Sequence, residues 1–140
     1  FYEQFNVNVR GAYFTATHTV PLIADGGALL FTASMVTSIA EPMSSVYSAT
    51  KAFLHSFTLS LRHLLKPRNI DVIEIIPPVL NTDLGGKGIH DHAPPVSDFI
   101  VAIFEQLQQG KQDLSFGFSE AMTKAGPEEL KNAFARMNPN

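Results

Sequence analysis

Apolar residues recur every three or four positions from Phe5 to Leu22, at Phe5, Val9, Ala12, Tyr13, Ala16 and Val20. This is the repeat of a helix, which Pro21 and Gly26-Gly27 close. Ala28 to Ala33 is a short unbroken apolar run between turn residues, the pattern of a strand buried on both faces of a parallel sheet, with Ser34 at its C-terminal end. Met35 to Ser45 is small, polar and broken by Pro42, so a loop is expected before a long helix from Ser45 to Lys66 that Pro67 stops. That helix shows one apolar face at Val46, Ala49, Phe53, Phe57 and Leu64 and a second at Ala52, Leu59 and Leu65, which predicts burial on two sides. Ile70 to Ile76 is rich in β-branched residues and ends at Pro77-Pro78, as a strand does. Val79 to Pro95 is the longest irregular stretch, of the kind that carries function in compact domains. Val96, Phe99, Ile100, Ile103 and Leu107 mark an amphipathic helix ended by Gly110, and Asp113 to Phe118 supplies a third strand. The last helix begins at Pro127, with Glu128-Glu129 in its first turn, Arg136 near its end and an apolar face of Leu130, Phe134 and Met137. Helices alternating with strands in this order predict an α/β sheet with parallel strands, spanning 1-140 as one unit.

Composition narrows the chemistry. The 140 residues are 45% hydrophobic and 16% charged, an ordinary globular balance. Ten basic and 13 acidic residues give a net charge of -3 with no run of either sign, so neither nucleic acid nor an anionic membrane surface is an expected partner. The absence of cysteine removes disulfides, thiolate metal sites and cysteine nucleophiles together. No apolar run reaches the roughly eighteen residues that span a bilayer, and the expected location is cytoplasmic. Phe1-Tyr2-Glu3-Gln4-Phe5 lacks an initiator Met and already reads as the inside of a helix, so the chain is expected to start within a longer protein.

Tyr47 and Lys51 lie four apart at the start of the long helix, which puts both side chains on one face. A phenol of ordinary pKa near 10 is a poor acid or base at neutral pH, and a neighbouring ammonium favours its ionised form. Ser34 precedes the pair by thirteen residues at a predicted strand end, where open α/β sheets bind their ligands. Together these residues resemble the short-chain dehydrogenase/reductase family, whose Tyr-x-x-x-Lys motif follows a strand-end Ser at this spacing. Val7-Asn8-Val9-x-Gly11 is similar to the family's helix bearing a catalytic Asn, and Pro77-Pro78-Val79-Leu80-Asn81-Thr82 to its Pro-Gly-x-Val-x-Thr turn beside the nicotinamide. Thr82-Asp83-Leu84-Gly85-Gly86-Lys87 and Ala125-Gly126-Pro127-Glu128-Glu129 resemble a bacterial subgroup often labelled DltE-like.

The resemblance implies an NAD(P)-dependent oxidoreductase that reduces a carbonyl or oxidises a secondary alcohol of small-molecule size, with NAD or NADP as cofactor. Tyr47 would exchange the proton, Ser34 would hydrogen-bond the substrate oxygen, and Lys51 would lower the Tyr47 pKa and hold the nicotinamide ribose. Asn8 would anchor a water relay. Cofactor contacts would come from Tyr47, Lys51, Pro77, Leu80 and Thr82, although Pro78 stands where the family has Gly and removes a backbone N–H. The implied fold is a partial Rossmann-type three-layer sandwich with the N-terminal nucleotide-binding half absent. A dinucleotide site needs a Gly-rich turn after the first strand, and Gly85-Gly86-Lys87-Gly88 has neither that place nor P-loop spacing; a substrate lid is the expectation for it. In the family the first two helices pack between subunits, which implies a homo-oligomer and, as the alternative function, an inert fragment that self-associates through its helices.

Two other readings compete. Ser48-Ala49-Thr50-Lys51 fits the Ser-x-x-Lys of penicillin-binding proteins, but the companion Ser-Asp-Asn and Lys-Thr-Gly motifs are missing. His90, Asp91 and His92 could suggest a metal site, yet two His in a loop without a third ligand read as solvated side chains, and no metal is expected. His18, His55 and His63 read as surface or partly buried polar positions on helices.

Overall fold

A computed structural model describes residues 1–139. The chain begins in one continuous helical rod: α1 (Tyr2–Phe5), a π-helical segment (Asn6–Gly11) and α2 (Ala12–Thr19), then a 3-10 turn at Val20–Leu22. The helix predicted from Phe5 to Leu22 is present, starts earlier, and is widened in its middle around Asn8. Three strands follow, β1 (Ala28–Thr32), β2 (Asp71–Ile76) and β3 (Asp113–Ser115), paired in the order β1-β2-β3 and parallel throughout. The helix α3 (Ser45–Leu65) crosses from β1 to β2, and α4 (Val96–Gln108) from β2 to β3. Two helices close the fold, α5 (Phe118–Lys124) and α6 (Pro127–Met137). No helix among the described residues is long and apolar enough to cross a membrane.

The three layers follow from the two-residue period of the strands. On one face Phe31, Val72 and Ile76 pack with Ala16 of α2 and with Leu54 and Leu65 of α3. On the other, Ile73 and Leu114 pack with Ile103 of α4. A smaller cluster of Ile39, Met122 and Ala133 seats α5 and α6 near the end of the sheet that carries the site.

Three expectations are corrected here. β1 is not buried on both faces: only Phe31 is fully buried in it and Leu30 is 45% exposed, because no described helix covers Leu30 and no described strand pairs with the far edge. The second apolar face of α3 is also not buried, with Ala52 and Leu59 exposed; its sheet-facing side instead carries Ser48, Leu54, Thr58 and Leu65. A hydroxyl is tolerated there because Thr58 Oγ1 donates 2.8 Å to Leu54 O, one turn back. Finally, the third strand stops at Ser115 and the unpredicted α5 starts at Phe118, since Gly117 takes a positive φ of 55° that ends the extended run.

Candidate active site

Ser34 leaves β1 in an extended conformation (φ -169°, ψ 159°), and its Oγ accepts from Val36 N at 3.3 Å, capping the following turn. That bond occupies a lone pair and leaves the hydroxyl proton free to donate. Tyr47 lies in the first turn of α3 and is half-buried. Thirteen residues apart and on different elements, the two side chains line one cleft of about 330 Å³, together with Pro77, Leu80 and Thr82 from the segment after β2. The segment is held against the Ser34 turn by Met35 N, which donates to Pro77 O at 3.0 Å.

Lys51 sits one turn along α3 from Tyr47. Its Nζ donates to Thr32 O at 2.8 Å and stands 5.6 Å from the centroid of the Tyr47 ring. Burial lowers its pKa, because a desolvated ammonium is disfavoured. Ala33 N donates to Ile75 O, so alternation along a parallel strand places the Thr32 carbonyl on the opposite, open edge of β1. Lys51 therefore lines a separate groove on that edge, which it shares with Asn8.

Asn8 lies within the π-helical segment, a local widening that in other helices marks functional positions. Its Nδ2 donates to Thr50 Oγ1 at 3.0 Å, and Thr50 Oγ1 donates in turn to Tyr47 O at 2.7 Å. Thr50 is buried, and the chain of bonds pins the first helical rod to the turn of α3 that presents Tyr47. The structure thus groups Ser34, Tyr47, Pro77, Leu80 and Thr82 in one cleft, and Asn8 and Lys51 in the groove next to it.

The loop that leaves this cleft returns to it. Asn81 N donates to Pro94 O at 2.8 Å, closing residues 82 to 93 into an excursion whose turns use positive φ at Gly85 (83°) and Gly88 (78°). Leu84 and His90 of this excursion line the cleft, and Met137 at the end of α6 closes its far side. His90 is half-buried, which corrects its reading as a solvated side chain, while His92 lines a neighbouring cavity. Glu41, Leu84, His90 and Met137 were not among the predicted site residues. Glu41 and Met137 reach the cleft through the folding of the loop after Ser34 and of α6, which no local pattern in the sequence signals.

One further polar pair lies outside the cleft. Glu74, in the middle of β2, is 0% exposed, and His55 Nδ1 meets its Oε2 at 2.7 Å while Oε1 has no partner. Burial raises the Glu74 pKa against the opposing pull of His55.

Comparisons with known proteins bear on the fold and the family. Over 98 residues the chain is 34% identical to the uncharacterized oxidoreductase DltE of Bacillus subtilis, covering 66% of this chain and 39% of that protein. A short chain dehydrogenase from Burkholderia cenocepacia, solved in complex with NADP, superposes with a TM-score of 0.80 at 21% identity over 93% of this chain and 57% of that one. A short-chain dehydrogenase from Sphingobium yanoikuyae in complex with NADPH gives 0.64 at 21% identity, covering 96% of this chain and 52% of that one. The chain therefore spans between about two-fifths and three-fifths of the length of these relatives. The sequence profile of the short chain dehydrogenase family matches residues 1–92, which include Asn8, Ser34, Tyr47, Lys51 and Thr82, and the chain belongs to that family.

Proposed function

We propose that residues 1-140 form the substrate-side catalytic half of a Rossmann-type domain in an NAD(P)-dependent oxidoreductase that reduces a carbonyl or oxidises a secondary alcohol. The observation that carries this reading is that Ser34 and Tyr47, from different elements, line one cleft together with Pro77, Leu80 and Thr82. The named relatives are oxidoreductases or dehydrogenases, and two were solved with NADP or NADPH, which supports NAD or NADP here. Nothing in them favours an inert fragment.

The donor set fits the nicotinamide end of such a cofactor. Thr82 brings a hydroxyl, Ser34 a free hydroxyl proton, and Leu80 lines the same space. When bound, the dinucleotide supplies a hydride to the carbonyl carbon or takes one from the carbinol. Ser34 donates to the substrate oxygen and fixes its position, and Tyr47 gives that oxygen its phenolic proton in reduction or removes it in oxidation. Lys51 supplies the nearby positive charge. Asn8 holds the backbone of Tyr47 through Thr50 and keeps Oδ1 available to water in the groove beside Lys51. The apolar strip of Phe5, Val9, Val46, Ala49 and Phe53 outside these helices fits a homo-oligomer, which the mass in solution checks.

The test is Tyr47→Phe in the complete enzyme, followed by NADPH absorbance with a panel of ketones and aldehydes. Removing the proton donor should lower kcat by about 10²–10⁴-fold while cofactor affinity changes little. Turnover that survives the substitution removes Tyr47 from the mechanism.

A further inference from the structure

The cleft does not end at Met137. A second cavity of about 350 Å³ shares Met35, Pro78, Val79 and Met137 with it and continues between Ala93, Phe116 and Phe118. The two spaces therefore share a wall of Met35, Pro78, Val79 and Met137, in which the two methionines are the adaptable members. Methionine is unbranched and adapts its shape at little cost, so this wall can yield to a chain that passes it. The geometry points to an elongated site whose inner part holds a carbonyl and whose outer part holds a long, uncharged apolar substituent. The substrate class is then an apolar ketone or secondary alcohol. This deepens the oxidoreductase reading and rests on it for the place of the reacting carbonyl.

Charge points the same way. Among the described residues no Lys or Arg lines either cavity, and the formal charge at the rim is the Glu41 carboxylate. Lys51, the nearest cation in sequence to Tyr47, is engaged with Thr32 O in the separate groove. A phosphate ester or carboxylate would lose its hydration in this cleft with no Lys or Arg to replace it and with Glu41 opposing it, leaving the imidazoles of His90 and His92 as the ionisable donors facing the two cavities. Selection against anions thus comes from the same residues that favour an apolar tail. The outer cavity adjoins the Ser34–Tyr47 cleft directly, which makes a substituent of the substrate its occupant.

The four methionines supply a test that needs no turnover. Met35 and Met137 line both cavities, Met43 is solvent-exposed and Met122 is buried on the inner side of α5 against Ile39 and Ala133, so their labelled methyl groups report the site and two controls in one NMR spectrum. Methyl ketones from butanone to dodecanone are titrated in turn, with the α-keto acid of octanone's length as the anionic arm. Saturable shifts confined to Met35 and Met137 are expected, with affinity rising about fourfold per added methylene until the outer cavity is filled. The α-keto acid should bind at least tenfold more weakly than octanone. Ala93→Trp, which fills the outer cavity from its far side, should abolish the gain with length, and Met137→Ala should extend it.

Affinity independent of chain length, keto acid binding equal to octanone, or shifts that include Met43 through general surface association would each overturn the proposal. Turnover that requires Tyr47 without any length dependence would refute the elongated site and leave the oxidoreductase reading standing. Length-dependent methyl shifts without turnover would do the reverse.

Discussion

Ser119 offers a sharp test of how the cleft wall is held. It is 0% exposed, and its hydroxyl stands in the parallel ladder where β2 and β3 would make their next rung: Phe116 N donates to Ser119 Oγ at 3.1 Å, and Oγ lies 2.6 Å from Ile76 O, to which it donates. Replacing Ser119 by Ala removes one atom and leaves a half-buried N–H and a buried C=O without partners. Each such group costs roughly 1–3 kcal/mol, and because both belong to one network the sum is taken as about 2–4 kcal/mol. With a urea dependence of about 2 kcal/mol/M, the midpoint of unfolding should fall by about 1–2 M at unchanged slope. Far-UV circular dichroism follows the transition, and amide exchange at Phe116 should accelerate in the variant. A midpoint within about 0.3 M of the parent would refute the reasoning, since it would mean that Phe116 N closes directly onto Ile76 O and the hydroxyl is dispensable. The consequence reaches the site because Ile76 is followed at once by Pro77 and Pro78, two walls of the cleft.

Two other perturbations probe charge. Burial raises the Glu74 pKa in the fold, so its contribution is complete below the unfolded carboxylate value of 4.5 and is lost as pH rises through the higher folded value. Glu74→Gln should remove that decline, and urea midpoints measured across this pH range that fall equally in both proteins would count against it. Arg68 donates through Nη1 to Val20 O at 2.9 Å, through Nη2 to Ile23 O and through Nε to Asp25 at 3.0 Å, gathering the end of the first helical rod onto the turn before β2. Arg68→Lys loses the planar fork and should cost about 1–2 kcal/mol by the same denaturation assay; an unchanged midpoint would show that water replaces those bonds.

Ser34, Tyr47, Pro77, Leu80 and Thr82 of the cleft, and Lys51 in the adjoining groove, are legible in the sequence because their patterns are local. A strand-ending Ser, a Tyr and Lys one helical turn apart and a Pro-rich exit from the next strand are all short-range patterns, and the parallel order follows from alternating periods. What was not legible depends on contacts distant in sequence. The Asn8–Thr50 bond spans 42 residues, and it engages an amide whose helical surroundings alone do not reveal its partner. Glu74 could have been placed on the buried face, since Val72 and Ile76 flank it at the strand period, but its pairing with His55 required the register of α3 on the sheet. Helix α5 was missed because the backbone reversal at Gly117 and the inserted Ser119 hydroxyl interrupt a run that otherwise reads as strand. Met137 reads as core by its spacing, and nothing on its own helix distinguishes core from the wall of a cavity.

The ammonium of Lys51 occupies the carbonyl that the open margin of β1 would offer to any incoming backbone. A backbone N–H arriving along that margin meets a carbonyl that already holds a charged donor, and it must share the second lone pair or displace the ammonium. A lysine so placed on an exposed sheet margin is a deterrent to indiscriminate pairing with other chains.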